Sequence, residues 1–142
     1  MLGVILPQPR VDTSLVLRTD FSDDQAWEEL KAAISAEDEH GEATFVSDPV
    51  YDGVTVESLI DADVAADDEA KVCHVFVADT VAIKGGGHAL LVVDLFSPPY
   101  ERVRVAPAGF AEVSANLTIA NLDVADFADE SDPDWVFRGS AD

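Results

Sequence analysis

The chain has a single cysteine, Cys73, and only three lysines among its 142 residues. One cysteine excludes an internal disulfide framework and makes a reducing cytoplasm the expected compartment. Positive charge is scarce: eight lysines and arginines face 29 aspartates and glutamates, a net charge of −21. A field of that sign repels nucleic acid and anionic membranes, so neither is an expected partner. Long apolar runs are missing too. The longest aliphatic one, Ala89-Leu90-Leu91-Val92-Val93, stops at Asp94 and is far too short to span a bilayer. The opening Met1-Leu2-Gly3-Val4-Ile5-Leu6 has no basic residue ahead of it and is broken by Pro7 and Pro9, so no signal peptide is expected.

What is present is a chain 48% hydrophobic, enough for one domain around one core. Residues 1–14 read as an irregular arm and 15–142 as a single acidic α/β domain. Leu15-Val16-Leu17-Arg18-Thr19 is a first strand. Ser22 follows as a candidate N-cap with Gln25 at N3, and Trp27, Leu30 and Ile34 give the helix an apolar stripe. Ala43–Ser47 is a second strand, and Thr55 can cap a helix whose inner face is Val56, Leu59, Ile60 and Val64. Val72–Ala78 is apolar on both faces and therefore central. Leu90–Phe96 and Arg102–Val105 follow, joined by a turn short enough to make them antiparallel. Pro107 starts a helix carrying Phe110, Val113 and Leu117. Asp123 can cap a last short helix, and Trp135-Val136-Phe137 returns to the core. The fold expected is α/β, with α+β as the alternative: a mixed sheet of five or six strands, helices packed on at least one face. Trp27, Leu30, Phe45, Val75, Val77, Leu91 and Val93 are the expected core.

Three strings, Leu15-Val16-Leu17-Arg18-Thr19-Asp20-Phe21-Ser22-Asp23-Asp24, Leu90-Leu91-Val92-Val93-Asp94-Leu95 and Asn116-Leu117-Thr118-Ile119-Ala120-Asn121-Leu122-Asp123, resemble an uncharacterised family of small acidic proteins from high-GC Gram-positive bacteria. The resemblance runs from about Leu15 to Gly139. Thr118 and Leu122 stand where that family has Ser and Met. It implies a free-standing bacterial cytoplasmic domain, and it carries no activity over to this chain.

Two charges interrupt apolar strands, Arg18 and Asp94. A desolvated charge costs several kcal/mol unless paired, so the two are expected to compensate each other across the sheet, with Arg102 or Arg104 as alternative partners; the other reading is that each faces solvent or a strand end. Asp20, Asp48 and Asp79 each follow a strand. If those strands are parallel, their ends gather the three carboxylates at the edge where α/β proteins bind ligands, and such a cluster can hold Mg²⁺. The same aspartates also suit helix caps and Asx turns. His40, His74 and His88 lack zinc-ligand spacing. His74 reads as a hydrogen-bonded core residue and Cys73 as a small buried hydrophobe. Lys84-Gly85-Gly86-Gly87 has its lysine before the glycines, the wrong order for a phosphate loop. No catalytic motif, metal site or cofactor is expected.

Size, acidity and the missing catalytic motifs favour a non-enzymatic binding module for a basic protein surface, by analogy with immunity proteins and nucleic-acid mimics. The alternative is a small metal-dependent hydrolase built on strand-end carboxylates: Asp20 and Asp79, with Asp48 or Asp94. A third account makes the charge a matter of solubility alone.

Overall fold

The computed structural model describes residues 5–11, 13–37, 43–85, 87–96, 98–118, 123–129 and 136–139. In chain order its elements are β1 (Ser14–Arg18), α1 (Asp24–Glu37), β2 (Ala43–Val46), α2 (Val56–Ala65), β3 (His74–Ala78), α3 (Thr80–Lys84), β4 (Leu90–Asp94), β5 (Arg102–Val105), α4 (Pro107–Thr118), α5 (Val124–Asp129) and β6 (Val136–Phe137). Short 3-10 turns at Pro49–Tyr51 and Asp68–Ala70 precede and follow α2.

The strands form one mixed six-stranded sheet in the order β2-β1-β3-β4-β5-β6. Strands β2, β1 and β3 are mutually parallel, β4 is antiparallel to β3 and β5, and β6 is parallel to β5. After β2 the chain crosses back over β1 to lay down β3, so the β1–β3 junction is a topological switch point. The sheet is therefore the mixed α/β one expected, with helices on both faces. On one face Trp27, Leu30 and Ile34 of α1, Ile83 of α3, Phe110 and Val113 of α4, and Phe127 of α5 pack on Val16, Phe76, Val92 and Val105. On the other, Leu59 and Ile60 of α2 and Leu6 of the arm pack on Leu15, Leu17, Val75, Val77 and Val93.

Most of the expected core is buried. Trp27, Leu30, Val75, Val77 and Val93 are all within the interior, while Phe45 and Leu91 are half-buried at its margins. Gly109 permits a close approach of α4 to β6, because a Cβ there would sit 2.9 Å from the Phe137 ring and 3.0 Å from the Gly139 nitrogen.

Local details depart from the sequence reading for identifiable reasons. The cap of α1 is Asp23, whose carboxylate accepts the Ala26 N–H; Ser22 instead gives its N–H to Asp20. In α2 the inward position belongs to Asp63, which is buried, whereas Val64 is exposed. Asp63 turns inward because it accepts the N–H groups of Val72 at 2.7 Å and Cys73 at 3.1 Å. Cys73 has φ +73°, a left-handed conformation uncommon for a residue with a Cβ. It delays β3 to His74, and its thiol side chain is exposed rather than buried. Helix α3 was not foreseen. The arm is fastened by the Tyr51 hydroxyl donating to Ile5 O, Gln8 to Ala70 O and Arg10 to Ala43 O.

Candidate functional site

Because β1, β2 and β3 run in one direction, the residues after them emerge along one edge of the sheet. Asp20 follows β1, Asp48 follows β2 and Asp79 follows β3. The turn after β2 folds back onto this edge, where Gly53, at φ +75°, donates its N–H to Thr19 O at 2.8 Å. That conformation favours glycine and places exposed Asp52 beside exposed Asp48 and Val50. The start of α1 adds Asp23 and Asp24, both exposed. Six carboxylates thus share the carboxyl edge.

Each of the three strand-end aspartates is engaged within the fold. Asp48 caps its 3-10 turn by accepting the Val50 N–H. Asp79 caps α3 through the Ala82 N–H and also receives two bonds of 2.7 Å from the Arg104 guanidinium, a charge-assisted bidentate pair. Asp20 is nearly buried. The Ser22 hydroxyl is the main group holding its carboxyl below the usual range; burial opposes it, and the Ser22 N–H, the Thr80 hydroxyl and the Lys84 charge assist. Among the described residues no three His, Cys, Asp or Glu side chains are grouped to hold a metal ion.

Arg18 does not pair with Asp94. It is buried at the carboxyl end of β1, opposite Ala78, whereas Asp94 lies opposite His74 at the other end of β3. Arg18 donates to Asp24 at 2.9 Å, to Asp20 O at 2.9 Å and to Ser47 Oγ at 3.3 Å, and its guanidinium lies 4.4 Å from the Phe21 ring centre and 5.5 Å from that of Trp27. The cation is thus compensated by a residue only six positions along the chain, and by aromatic faces. Asp94 accepts the Phe96 N–H, and Arg102 pairs with Glu57 at 3.7 Å.

Between α1 and α3, on this same edge, lies a crevice of about 460 Å³ lined by Ser22, Asp23, Ala26, Glu29, Ile83, Lys84, Gly85 and His88. Its volume falls in the range of small-molecule sites. The sequence reading missed it, since its lining comes from segments that separately read as a helix start and a glycine-rich connection. Gly86 of that connection and His40 lie outside the described residues.

At the opposite, amino end of β3, His74 shares a 2.8 Å hydrogen bond with Ser14 Oγ, which shares one of 2.7 Å with Ser114 Oγ of α4. Burial lowers the His74 pKa to about 4, with Asp94 and Asp63 opposing the shift. Both serines are fully enclosed, so neither hydroxyl meets solvent as a nucleophile would, and the chain His74–Ser14–Ser114 joins β3, β1 and α4. His74 is hydrogen-bonded as expected, but it is half-buried at the start of β3 rather than within the core.

Among the described residues no helix is long and apolar enough to cross a membrane. No curated protein matches the chain. The family model described as Domain of unknown function (DUF6924) matches residues 13–140, and the chain belongs to that family.

Proposed function

We propose that the protein is a non-enzymatic binding module whose carboxyl edge engages a basic protein surface, in the manner of an immunity protein or a nucleic-acid mimic. The observation that carries this reading is the convergence of Asp20, Asp23, Asp24, Asp48, Asp52 and Asp79 on one edge through the parallel β2-β1-β3 arrangement. Arg18 and Arg104 offset part of that charge, but Asp23, Asp48 and Asp52 face solvent and form no ion pair among the described residues. Clustered carboxylates of this kind project a directional field that accelerates encounter with a cationic partner. Val50, 70% exposed between Asp48 and Asp52, adds an apolar contact inside the acidic rim, the arrangement common at protein interfaces. A bacterial, cytoplasmic setting is part of the same proposal and rests on the lone cysteine and the family resemblance.

The hydrolase alternative would have to take Asp48 from its cap and Asp79 from Arg104, and no observation favours it. Charge reversal tests the binding reading. Asp48→Lys with Asp52→Lys is expected to abolish capture of basic proteins from native lysate at low salt, while reversing Asp67, Asp68 and Glu69 leaves capture intact. Capture should also fade as added salt shortens the Debye length to about 8–10 Å. Equal, small effects from both sets of reversals defeat the reading.

A further inference from the structure

The crevice between α1 and α3 has walls of opposite sign. On the α1 side stand Asp23 and Glu29, with the Ser22 hydroxyl; on the other stand Lys84 and His88; Ala26 and Ile83, both buried, are the apolar residues of the lining. Asp23 already caps α1 through the Ala26 N–H, so the helix start is supplied with a carboxylate and has no need of an external anion. Among the described residues Glu29 receives a single 3.3 Å bond, from Gln25. Across the crevice, Lys84 forms no salt bridge among the described residues, although its charge reaches Asp20. His88, held at φ +49°, shares its Nδ1 with the Ala82 carbonyl at 2.9 Å. That carbonyl accepts, so Nδ1 carries the proton and Nε2 stays uncommitted among the described residues.

Lys84 forms no ion pair with Asp23 or Glu29 among the described residues, so the charges of the two walls are not spent on each other. Here the two walls stand apart, with an acidic side suited to an ammonium group and a Lys84 side suited to a carboxylate. We infer that this crevice is a binding site for a small zwitterionic amino compound, an amino acid or short peptide, whose ammonium group faces Asp23 and Glu29 and whose carboxylate faces Lys84. A net-anionic compound meets repulsion from the first wall and a net-cationic one from the second, so both charges are required of one molecule. The site does not depend on the proposed basic partner, because its recognition needs Lys84 as much as the carboxylates.

Isothermal titration with four probes tests the inference: L-alanine, the dipeptide L-alanyl-L-alanine, N-acetyl-L-alanine, which lacks the ammonium group, and L-alaninamide, which lacks the carboxylate. Saturable one-to-one binding is expected for at least one zwitterion, about tenfold weaker or more for both blocked analogues, the scale of a lost charge-assisted contact. Lys84→Gln should weaken the zwitterion while leaving L-alaninamide unaffected, and Glu29→Gln should weaken the zwitterion while leaving N-acetyl-L-alanine unaffected. Both residues are exposed, so the variants should fold, and circular dichroism checks this directly. No saturable binding of either zwitterion overturns the inference. So does binding of L-alaninamide as tight as that of the zwitterions, or binding indifferent to both substitutions. None of these outcomes touches capture of a basic protein.

Discussion

The two ends of strand β3 deal with polar groups in opposite ways. At the amino end, Asp63, His74, Ser14 and Ser114 direct their hydrogen bonds inward, onto one another or onto backbone N–H groups, and Asp63, Ser14 and Ser114 are almost wholly enclosed. At the carboxyl end, Asp79, Asp20 and Asp48 satisfy backbone donors while Asp23, Asp24 and Asp52 still face water. The same residue type, aspartate, serves as an internal clamp at one end and as a solvent-facing charge at the other. Burial decides which, because a desolvated carboxylate persists only where donors surround it. Under the proposed function the amino end serves stability and the carboxyl end binding, and each assignment can be broken separately.

The largest expected effect is at the clamp. Asp63→Ala removes two charge-assisted bonds that tie the end of α2 to the start of β3, at a cost of about 3–5 kcal/mol. A urea midpoint equal to that of the parent would contradict the clamp. Next comes His74. Its pKa in the fold is about 4 against an ordinary 6.5, so the unfolded chain takes up a proton that the folded chain refuses as pH falls through that window. Stability present above pH 6.5 is therefore lost toward pH 4, by about 3 kcal/mol at most. His74→Gln keeps a hydrogen-bonding side chain beside Ser14 without titrating, and should remove that part of the pH dependence; an unchanged slope between pH 6.5 and 4 would refute the assignment. The smallest stability effect is at the other end. Asp24 pairs with buried Arg18, yet its own side chain is 89% exposed, so Asp24→Ala should cost at most about 1 kcal/mol. Arg18 keeps its bonds to Asp20 and Ser47 and its aromatic contacts in that variant. A loss as large as that of Asp63→Ala would erase the distinction between the two ends.

The strands were readable because β-branched and apolar residues alternate or cluster between turn signals. The antiparallel β4–β5 pair followed from the length of its turn, and both arginines of β5 share one face as their spacing requires, opposite Leu91 and Val93. The capping roles of Asp48 and Asp79 were visible in Asp-Pro and Asp-Thr. Helix α3 has five residues, too few to display a helical period. The partner of Arg18 was misjudged because a buried strand charge invites a search across the sheet, while Asp24 reaches it from the next turn of chain. Asp63 and Val64 exchanged roles because hydrophobicity alone set the phase of α2, and the hydrogen bonds that draw Asp63 inward depend on where β3 begins. Cys73 turned outward on a backbone angle that residue type does not announce. The crevice needed α1 and α3 to be brought side by side before Glu29, Lys84 and His88 became neighbours.

The convergence of charge on the carboxyl edge is tested most directly by following backbone amide resonances in nuclear magnetic resonance while a short oligolysine peptide is titrated in at low salt. The account predicts that the early, saturating shifts cluster at residues 20–24, 48–53 and 79–80, and that Asp67, Asp68 and Glu69 respond weakly. Shifts of equal size at every acidic segment, rising without saturation, would contradict it and leave the charge as a solubility feature spread over the whole surface.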